Sequence, residues 1–281
     1  MLTQRLNDLG FDPVVVLDAP EVGAGEGSVV LAFVKYEAEH CPDDAAWIHP
    51  YYYASQQGYE AAKALAAELK EEGVYLRDDI LLKPIFARLP GLSRGRNTLS
   101  VLNGYGSRFH VQTFVTEKRL PATHHLLDAP QPLHCGECRR CMEACPTGAI
   151  TEEGFCREKC IRHWQLSGKV VPEAIRPHMK GSLVGCDVCQ AACPHNPPVE
   201  KRGVPDISLP LLLTDVKSAC ETLKPRIGAN LAIPNRVLAQ ACLLAGNSGD
   251  ASLLPLLAPL MAHPSPAVKE HASWAVARLK K

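Results

Sequence analysis

The chain has 281 residues, no net formal charge at pH 7, 46% apolar residues and 21% charged residues, which are ordinary values for a soluble globular protein. This length is enough for one large domain or for two to three small ones. No apolar run approaches the ~20 residues that a membrane span requires, so we expect a cytoplasmic protein with no membrane partner.

The charge is unevenly distributed along the chain. Residues 1–155 carry 14 Lys and Arg against 21 Asp and Glu, whereas residues 156–236 carry 12 against 7. A basic segment could meet an RNA backbone, because phosphate contacts depend on local rather than total charge. The surplus is small, and solvated surface charge is the simpler interpretation.

The first 120 residues mix helix and strand patterns. An apolar stripe in the first nine residues predicts a short helix that ends at Gly10, and an Ala/Glu/Lys-rich stretch predicts a helix from about residue 57 to the stop at Gly73. Runs rich in β-branched residues predict strands at 14–17, 29–34, 99–102 and 109–116.

A polar loop precedes the third predicted strand. Residues 90–99 contain two glycines, two arginines and an Asn-Thr pair. This composition lets the backbone come close to a polar ligand that carries amide and phosphate groups. A plain surface loop is the alternative, and the loop residues alone do not decide between the two.

Most of the chain's twelve cysteines lie in two motifs. Residues 135–146 read C-x2-C-x2-C-x3-C-P, the spacing at which three thiolates share one iron-sulfur cluster while the fourth, before a proline, binds the other cluster. Residues 186–194 read C-x2-C-x3-C-P and lack one ligand. Cys160, or alternatively Cys156, lies upstream to supply it.

This count predicts eight ligands for two [4Fe-4S] clusters by crossed pairing. The first set would be Cys135, Cys138, Cys141 and Cys193. The second set would be Cys145, Cys160, Cys186 and Cys189. Two zinc sites are the alternative, but zinc does not call for three cysteines at two-residue gaps followed by Cys-Pro. A disulfide framework is disfavoured, because the chain shows no signal peptide and its cysteines occur in metal-type motifs.

Residues 207–281 are predicted to be helical and contain an approximate repeat. The stretch 235–244 recurs as 266–275, with a valine and an alanine at matching positions. With the helix and the Pro-Ser-Pro turn between them, the two stretches predict a helical pair of the HEAT type. An ordinary three-helix bundle would give a similar pattern.

The cysteine motifs and their flanking segments resemble those of the epoxyqueuosine reductase family, cobalamin-dependent iron-sulfur enzymes of queuosine-tRNA biosynthesis that are related to the reductive dehalogenases. The resemblance is strongest at residues 135–150, 159–161 and 185–196. Residues 91–99 are similar to the family's glycine-rich G-K-N-T-L segment, and the helical tail is similar too. The chain therefore resembles a shortened or divergent member.

The resemblance implies an α+β fold class in three parts. These are an N-terminal α/β corrinoid-type domain at 1–130, a bacterial-ferredoxin-like double-cluster domain at 131–205 and a HEAT-like α-helical tail at 206–281. The resemblance also favours Cys160 as the eighth ligand. Electrons would pass from a flavodoxin- or ferredoxin-type donor through two [4Fe-4S] clusters to a bound cobalamin, which would reduce an electrophilic substrate such as epoxyqueuosine in tRNA.

The resemblance further implies which side chains meet the corrinoid and the substrate. The corrinoid-binding residues would be Tyr59, Arg94, Arg96, Asn97 and Thr98. A protein acid would supply a proton, and the family's acid is matched by Asp78 or Asp79. Gln-Gly-Tyr-Glu at 57–60 replaces the family's acidic helix start.

Two other functions remain open from the sequence. One is an electron-transfer or corrinoid-reactivating iron-sulfur protein without substrate chemistry of its own, for which the helical tail would be a docking surface. The other is an RNA-binding module in which the clusters are structural. The basic stretch at 156–236 suggests this function.

Overall fold

The computed structural model describes residues 2–37, 39–40, 46–123, 127, 135–198, 200–201 and 207–281. The chain forms two compact units. The first comprises Met1–Glu37, Tyr53–Arg139 and Cys193–Pro197, and the second comprises Ala38–Tyr52, Arg140–Ala192 and Pro198–Lys281. The two predicted domain boundaries, at 130–131 and 205–206, lie outside the described residues, so the three-domain division stays a prediction.

Helices and strands are mixed in the first half, whereas helices dominate the last quarter. The helices are α1 (Leu2–Asp8), α2 (Pro50–Glu68), α3 (Leu82–Phe86), α4 (Arg140–Ala144), α5 (Ile161–Ser167), α6 (Val188–Ala191), α7 (Leu209–Thr214), α8 (Val216–Ile227), α9 (Pro234–Ser248), α10 (Leu254–Leu257) and α11 (Pro266–Leu279). The strands are β1 (Val14–Asp18), β2 (Ser28–Lys35), β3 (Glu39–His40), β4 (Trp47–Ile48), β5 (Val74–Leu76), β6 (Leu92–Arg94), β7 (Ser100–Leu102), β8 (Phe109–Thr116), β9 (Ile150–Thr151), β10 (Gly154–Phe155), β11 (Ser182–Val184) and β12 (Glu200–Lys201). Within the described ranges, no helix is both long enough and apolar enough to cross a bilayer.

The first unit is built on an antiparallel four-stranded sheet of order β1-β2-β8-β5. Central strand β2 pairs with β8 along its whole length. Because successive side chains of a strand point to opposite faces, Leu31 and Phe33 enter one apolar core and Val30 and Ala32 enter another. Both faces of the sheet are therefore covered.

Different elements cover the two faces. Helices α1 and α2 pack on one face through Leu6 and Leu65. Helix α3 and the antiparallel hairpin β6–β7 pack on the other face through Phe86, Leu92 and Leu102. The sheet is thus the middle of three layers, and the loop that joins β6 to β7 belongs to the face opposite α2.

Most of the predicted elements are confirmed. The opening helix, the strands at β1, β2, β7 and β8 and the helical character of 207–281 are all present. Helix α2 begins earlier than predicted, at Pro50, because proline suits the first position of a helix and the following tyrosines continue it. The segment 90–99, predicted as a loop, contains strand β6, and the segment 178–185 contains strand β11. Strand β11 depends on a partner that is distant in the sequence, and β6 depends on a hairpin turn. Neither feature is visible in the local sequence pattern.

Helices α9 and α11 form the core of the second unit. Helix α9 is buried along most of its length. A Cβ added at Gly246 would lie 2.8 Å from the Cα of Ala275, so only glycine permits this close approach of the two helices. The two stretches of the predicted repeat lie in α9 and α11, while the assignment to the HEAT type stays a prediction.

A buried histidine joins these helices to the segment that leads into the second cysteine motif. The backbone N–H of Val171 donates to Nε2 of His271 at 2.9 Å, and Nδ1 of His271 lies 3.0 Å from the carbonyl of Ala239. Since Nε2 accepts a hydrogen bond, the proton of the neutral ring is on Nδ1, which donates to Ala239. Asn247 donates to the carbonyl of Met179 at 3.0 Å, so α9 and α11 fix residues 171–179.

Candidate iron-sulfur site

Cys145 lies in a turn that surrounds its sulfur with donors. The backbone N–H of Ala149 donates to Sγ of Cys145 at 3.3 Å, and the hydroxyl of Thr147 lies 3.6 Å from the same sulfur. Burial raises the pKa of this thiol, but the hydrogen bonds from Thr147 and from backbone N–H groups outweigh burial and hold the pKa below its usual range. The turn is thus prepared to stabilise a thiolate.

The other thiols of the second set lie within electrostatic reach of Cys145 and of one another. Burial raises the pKa of Cys186 to about 12, with further increases from Cys160 and Cys145. The pKa of Cys189 is raised more strongly, by burial and then by Cys186, Cys160 and Cys145, with a smaller effect of Cys141. Thiols in this arrangement become thiolates when a metal supplies positive charge.

Cys160 and Cys156 differ in their surroundings. The charge of Cys160 raises the pKa of both Cys186 and Cys189. The Sγ of Cys156 instead lies 3.8 Å from the carboxylate of Glu158. The second unit therefore brings Cys160, the choice that the family resemblance favours, toward the other thiols.

Helix α5 fixes the backbone that leads to Cys186. The side chain of Gln165 is buried, donates to the carbonyl of Ser182 at 2.8 Å and accepts from the N–H of Gly185 at 2.9 Å. Gly185 has φ +92°, and a Cβ there would lie 2.5 Å from Cβ of His49. Glycine is therefore required where the chain turns into the second motif.

In the first unit, Cys193 lies within electrostatic reach of Cys135 and Cys138. The N–H of Cys138 donates to the carbonyl of Cys135 at 2.7 Å, which closes the C-x2-C turn. Burial raises the pKa of Cys193, and the charges of Cys135 and Cys138 raise it further. A backbone hydrogen bond from His195 and, more weakly, the charge of Arg108 lower it. The fourth member, Cys141, lies in α4 of the second unit. In the part of the chain that the structure describes, no three His, Cys, Asp or Glu side chains group as a site for a single metal ion.

The β6–β7 loop contacts the first cysteine pair. The backbone N–H of Arg96 donates to Sγ of Cys135 at 3.4 Å, and its guanidinium donates to the carbonyl of Gly136 at 2.7 Å. Within the loop, the N–H of Thr98 donates to the carbonyl of Gly95 at 2.9 Å. Asn97 is buried, and its Oδ1 accepts from the N–H of Leu99 at 3.3 Å. Arg96, Asn97 and Thr98 therefore share one ordered turn next to a predicted cluster ligand, and Arg94 ends β6 just before it.

A second turn of the first unit holds the chain after Cys193. The side chain of Asn196 accepts from the N–H of Ser107 at 2.7 Å, and the guanidinium of Arg108 donates to the carbonyl of Pro197 at 2.6 Å. Sequence reasoning missed Ser107 and Arg108. The only sequence signal for this turn was Asn196, which belongs to the Cys-Pro-His-Asn stretch of the family resemblance.

The predicted proton donors and Tyr59 lie apart from this loop. Asp78 and Asp79 are exposed after β5, and Nε of Arg77 donates to Asp79 at 2.6 Å. This bond holds the pKa of Asp79 below its usual range. Asp79 and Arg77 also line a pocket of about 470 Å³. Tyr59 is exposed on α2, with Nζ of Lys63 lying 5.9 Å from its ring centroid. The predicted corrinoid-binding residues are therefore divided between elements on opposite faces of the sheet.

A family model described as a 4Fe-4S double cluster binding domain matches residues 134–196. This match covers both cysteine motifs and the intervening Cys160. The chain thus carries a double-cluster domain of the iron-sulfur class, and its predicted content of two [4Fe-4S] clusters is confirmed.

Within that class, the similar proteins are epoxyqueuosine reductases. The one from Gloeobacter violaceus (strain ATCC 29082 / PCC 7421) is 36% identical over 112 residues, which are 39% of this chain and 34% of that protein. A crystal structure of epoxyqueuosine reductase with an epoxyqueuosine-modified tRNA-Tyr stem loop superposes with a TM-score of 0.77 at 19% identity, covering 100% of this chain and 89% of that one. The structure of the Bacillus subtilis protein gives 0.73 at 20% identity, covering 99% and 89%.

These comparisons confirm the resemblance stated from the sequence. The mixed helix and sheet fold is that of the solved epoxyqueuosine reductases. The chain spans less than two thirds of the length of these curated epoxyqueuosine reductases.

Proposed function

We propose that this chain is an iron-sulfur oxidoreductase of the epoxyqueuosine reductase type, which reduces an electrophilic substrate such as epoxyqueuosine in tRNA. When bound, the two [4Fe-4S] clusters would supply single electrons and cobalamin would supply a strongly reducing cobalt centre. One observation carries the proposal. The loop that resembles the family's corrinoid segment donates a backbone hydrogen bond to Cys135, a predicted cluster ligand.

Eight cysteines would hold the clusters. The first cluster would be bound by Cys135, Cys138, Cys141 and Cys193, and the second by Cys145, Cys160, Cys186 and Cys189. The mutual effects on pKa among the thiols within each unit support this assignment. The spacing of the first motif adds Cys141.

The β6–β7 loop fits a large polar ligand. A Cβ at Gly95 would lie 2.7 Å from Oδ1 of Asn97, so this position keeps the backbone free of a side chain. Arg94, Arg96, Asn97 and Thr98 would bind the amide-bearing edge of the corrinoid with backbone and side-chain donors. Tyr59 would offer an exposed aromatic ring.

The proton donor would be Asp78 or Asp79. Pairing with Arg77 stabilises the ionised form of Asp79, which works against proton donation and makes Asp78 the better candidate. In the Bacillus subtilis epoxyqueuosine reductase, a catalytic aspartate loop is swung out of the active site. The exposed segment 77–81 would be the corresponding loop here.

The substrate would be a tRNA, because a solved epoxyqueuosine reductase holds a tRNA stem loop. The basic stretch at 156–236 and the HEAT-like tail at 206–281 would offer surfaces for it. The electron donor would be of the flavodoxin or ferredoxin type, and the setting would be the cytoplasm. An electron-transfer protein without substrate chemistry is not favoured, since the similar proteins are reductases.

The test is anaerobic reconstitution of the chain with iron and sulfide, followed by addition of cobalamin and an epoxyqueuosine-modified stem loop. We expect two clusters per chain, a bound Co(II) spectrum and conversion of epoxyqueuosine to queuosine under a low-potential reductant. An Asp78→Asn variant should retain clusters and corrinoid but lose turnover. Full iron without corrinoid binding would instead support the electron-transfer function, and stoichiometric zinc would exclude both.

A further inference from the structure

An apolar cluster of the second unit brings two tryptophans to a predicted cluster ligand. Its buried core includes Ile161 and Leu243, and three partly buried side chains pack against it, namely Trp164, Cys186 and Trp274. Both indole rings therefore share one apolar contact region with Cys186 and are also partly open to solvent.

Trp164 is also tied to a second predicted ligand. Its backbone N–H donates to the carbonyl of Cys160 at 3.4 Å, one helical turn earlier, and its indole N–H donates to the carbonyl of Glu158 at 2.7 Å. The ring is thus held against the segment that supplies Cys160. A molecule that contacts this ring is separated from a ligand of the second cluster by a single turn of α5.

Trp274 presents an aromatic ring with a positive charge over it. A Cβ at Gly246 would lie 2.8 Å from Cζ3 of Trp274, so the ring lies directly on the backbone of α9. The guanidinium carbon of Arg278, an exposed residue, lies 5.4 Å from the ring centroid, a favourable cation–π distance. Aromatic side chains and arginine are the residue types enriched where proteins bind one another.

The two segments that carry these tryptophans are strongly basic. Residues 156–170 carry four Lys and Arg against one Glu, and residues 266–281 again carry four against one, whereas the intervening helices at 207–265 carry four against three. Local positive charge steers an acidic partner toward such a surface. An RNA backbone would respond to the charge alone, but the packing of both rings on the ligand segments favours a partner that must come close to a cluster.

We propose that Trp164 and Trp274, with the basic residues of 156–170 and 266–281, form a docking surface for an acidic one-electron donor protein of the flavodoxin or ferredoxin type, which reduces the second cluster. The inference rests on the cluster assignment of the proposed function. In the step, the donor loses one electron and the second cluster gains it, with no bond made or broken. Electron-transfer complexes bury little surface, so two rings with a basic rim are enough.

The test is stopped-flow reduction of the anaerobically reconstituted full-length chain by fully reduced flavodoxin, at several concentrations of sodium chloride. Arg278→Glu and Arg157→Glu each reverse one exposed charge, one in each segment. Lys217→Glu is the matched control, because it makes the same change in net charge at an exposed position of α8, outside both segments. Trp274→Leu removes one ring, and dithionite, a small reductant, reports whether the clusters themselves are altered.

We expect Arg278→Glu and Arg157→Glu to lower the second-order rate constant with flavodoxin roughly fivefold or more at low salt, with a smaller difference at high salt. Trp274→Leu should lower it at every salt concentration, because an apolar contact is not screened. Lys217→Glu should react like the wild type, and the rates with dithionite should stay the same throughout.

A normal flavodoxin rate in fully loaded Arg278→Glu, or an equal loss in Lys217→Glu, would overturn the proposal. An equal loss with dithionite would also overturn it, because the substitution would then act on the cluster. If Arg278→Glu weakened only the binding of an epoxyqueuosine-modified stem loop, or dispersed a dimer of the chain, the surface would belong to RNA or to a second copy. A wild type without two clusters would refute the proposed function instead.

Discussion

The two cysteine sets are supported in different ways. The second set comes from residues 145–189 of one unit. It is held by the turn after Cys145 and by the side chain of Gln165, which belong to the same stretch. In the other unit, Cys135 and Cys193 of the first set are held by residues that are far away in the sequence. The loop around Arg96 contacts Cys135, and the turn at Ser107 holds the chain after Cys193.

This difference separates local from long-range information. A C-x2-C turn encodes much of its own geometry, as the bond from Cys138 to the carbonyl of Cys135 illustrates. The position of Cys193 depends instead on a sheet whose strands assemble from distant segments. Substitutions in the sheet and its turns should therefore disturb iron binding by the first set. Iron binding by the second set should depend on substitutions within its own stretch.

The largest expected effect concerns the eighth ligand. Cys160→Ala should remove about half of the bound iron, because a [4Fe-4S] cluster that loses one of four thiolates is poorly held. Cys156→Ala should retain all of it, since this thiol lies by Glu158 rather than among the other ligands. Iron and sulfide analysis after anaerobic reconstitution measures both. Iron loss in the Cys156 variant alone would reverse the assignment.

The scaffold dependence of the first set can be tested at two glycines of the β7–β8 turn. Gly104 and Gly106 both have positive φ, at +76° and +73°, but a Cβ at Gly104 meets nothing within 4 Å whereas one at Gly106 meets Asn196. Gly104→Ala should cost about 1 kcal/mol from backbone strain alone. Gly106→Ala should cost at least about 3 kcal/mol, because the contact with Asn196 must also break.

Urea unfolding of both alanine variants gives the free energies, and iron analysis gives the loading of the clusters. Only the Gly106 variant should lose iron. Equal costs for the two substitutions would show that the clamp on residues 195–196 contributes nothing, and the contrast between the two cysteine sets would then fail.

Much of the fold and of the metal site is predictable from the sequence, for physical reasons. Alternating apolar residues specify β8, and the double motif specifies the clusters, because both signals are local. Strand β11 could not be predicted, since it exists through parallel pairing with β4, which lies far away in the sequence. The role of Arg108 could not be predicted either, because one arginine just before a strand gives no hint of Pro197 as its partner.

The support of the second set includes a buried histidine, and this gives the next prediction. Burial lowers the pKa of His271 from 6.5 to about 4. The unfolded chain therefore binds a proton before the folded chain does as the pH falls. The contribution of neutral His271 to the free energy of unfolding is complete above pH 6.5. It is lost progressively as the pH falls to about 4, a change on the order of 3 kcal/mol.

His271→Gln should remove this part of the pH dependence, because the amide does not titrate and can still accept from the N–H of Val171. Urea unfolding at several pH values between 4 and 7 compares the slopes. His110 in the first unit, whose pKa is also lowered by burial to about 4, remains in the variant and keeps part of the slope. Identical slopes in wild type and variant would show that His271 is not neutral and buried.

The smallest expected effect concerns the loop that contacts the first set. Among the described residues other than glycine, Thr98 alone has a positive φ, at +63°, and a β-branched residue there stores on the order of 1 kcal/mol of strain. Thr98→Asn should raise the free energy of unfolding by up to about 1 kcal/mol, because asparagine tolerates this conformation. If the strain serves the corrinoid site, the same variant should bind cobalamin more weakly, so that stability and binding change in opposite directions. Isothermal titration with cobalamin beside urea unfolding tests both, and a destabilised variant with unchanged binding would show that Thr98 only packs.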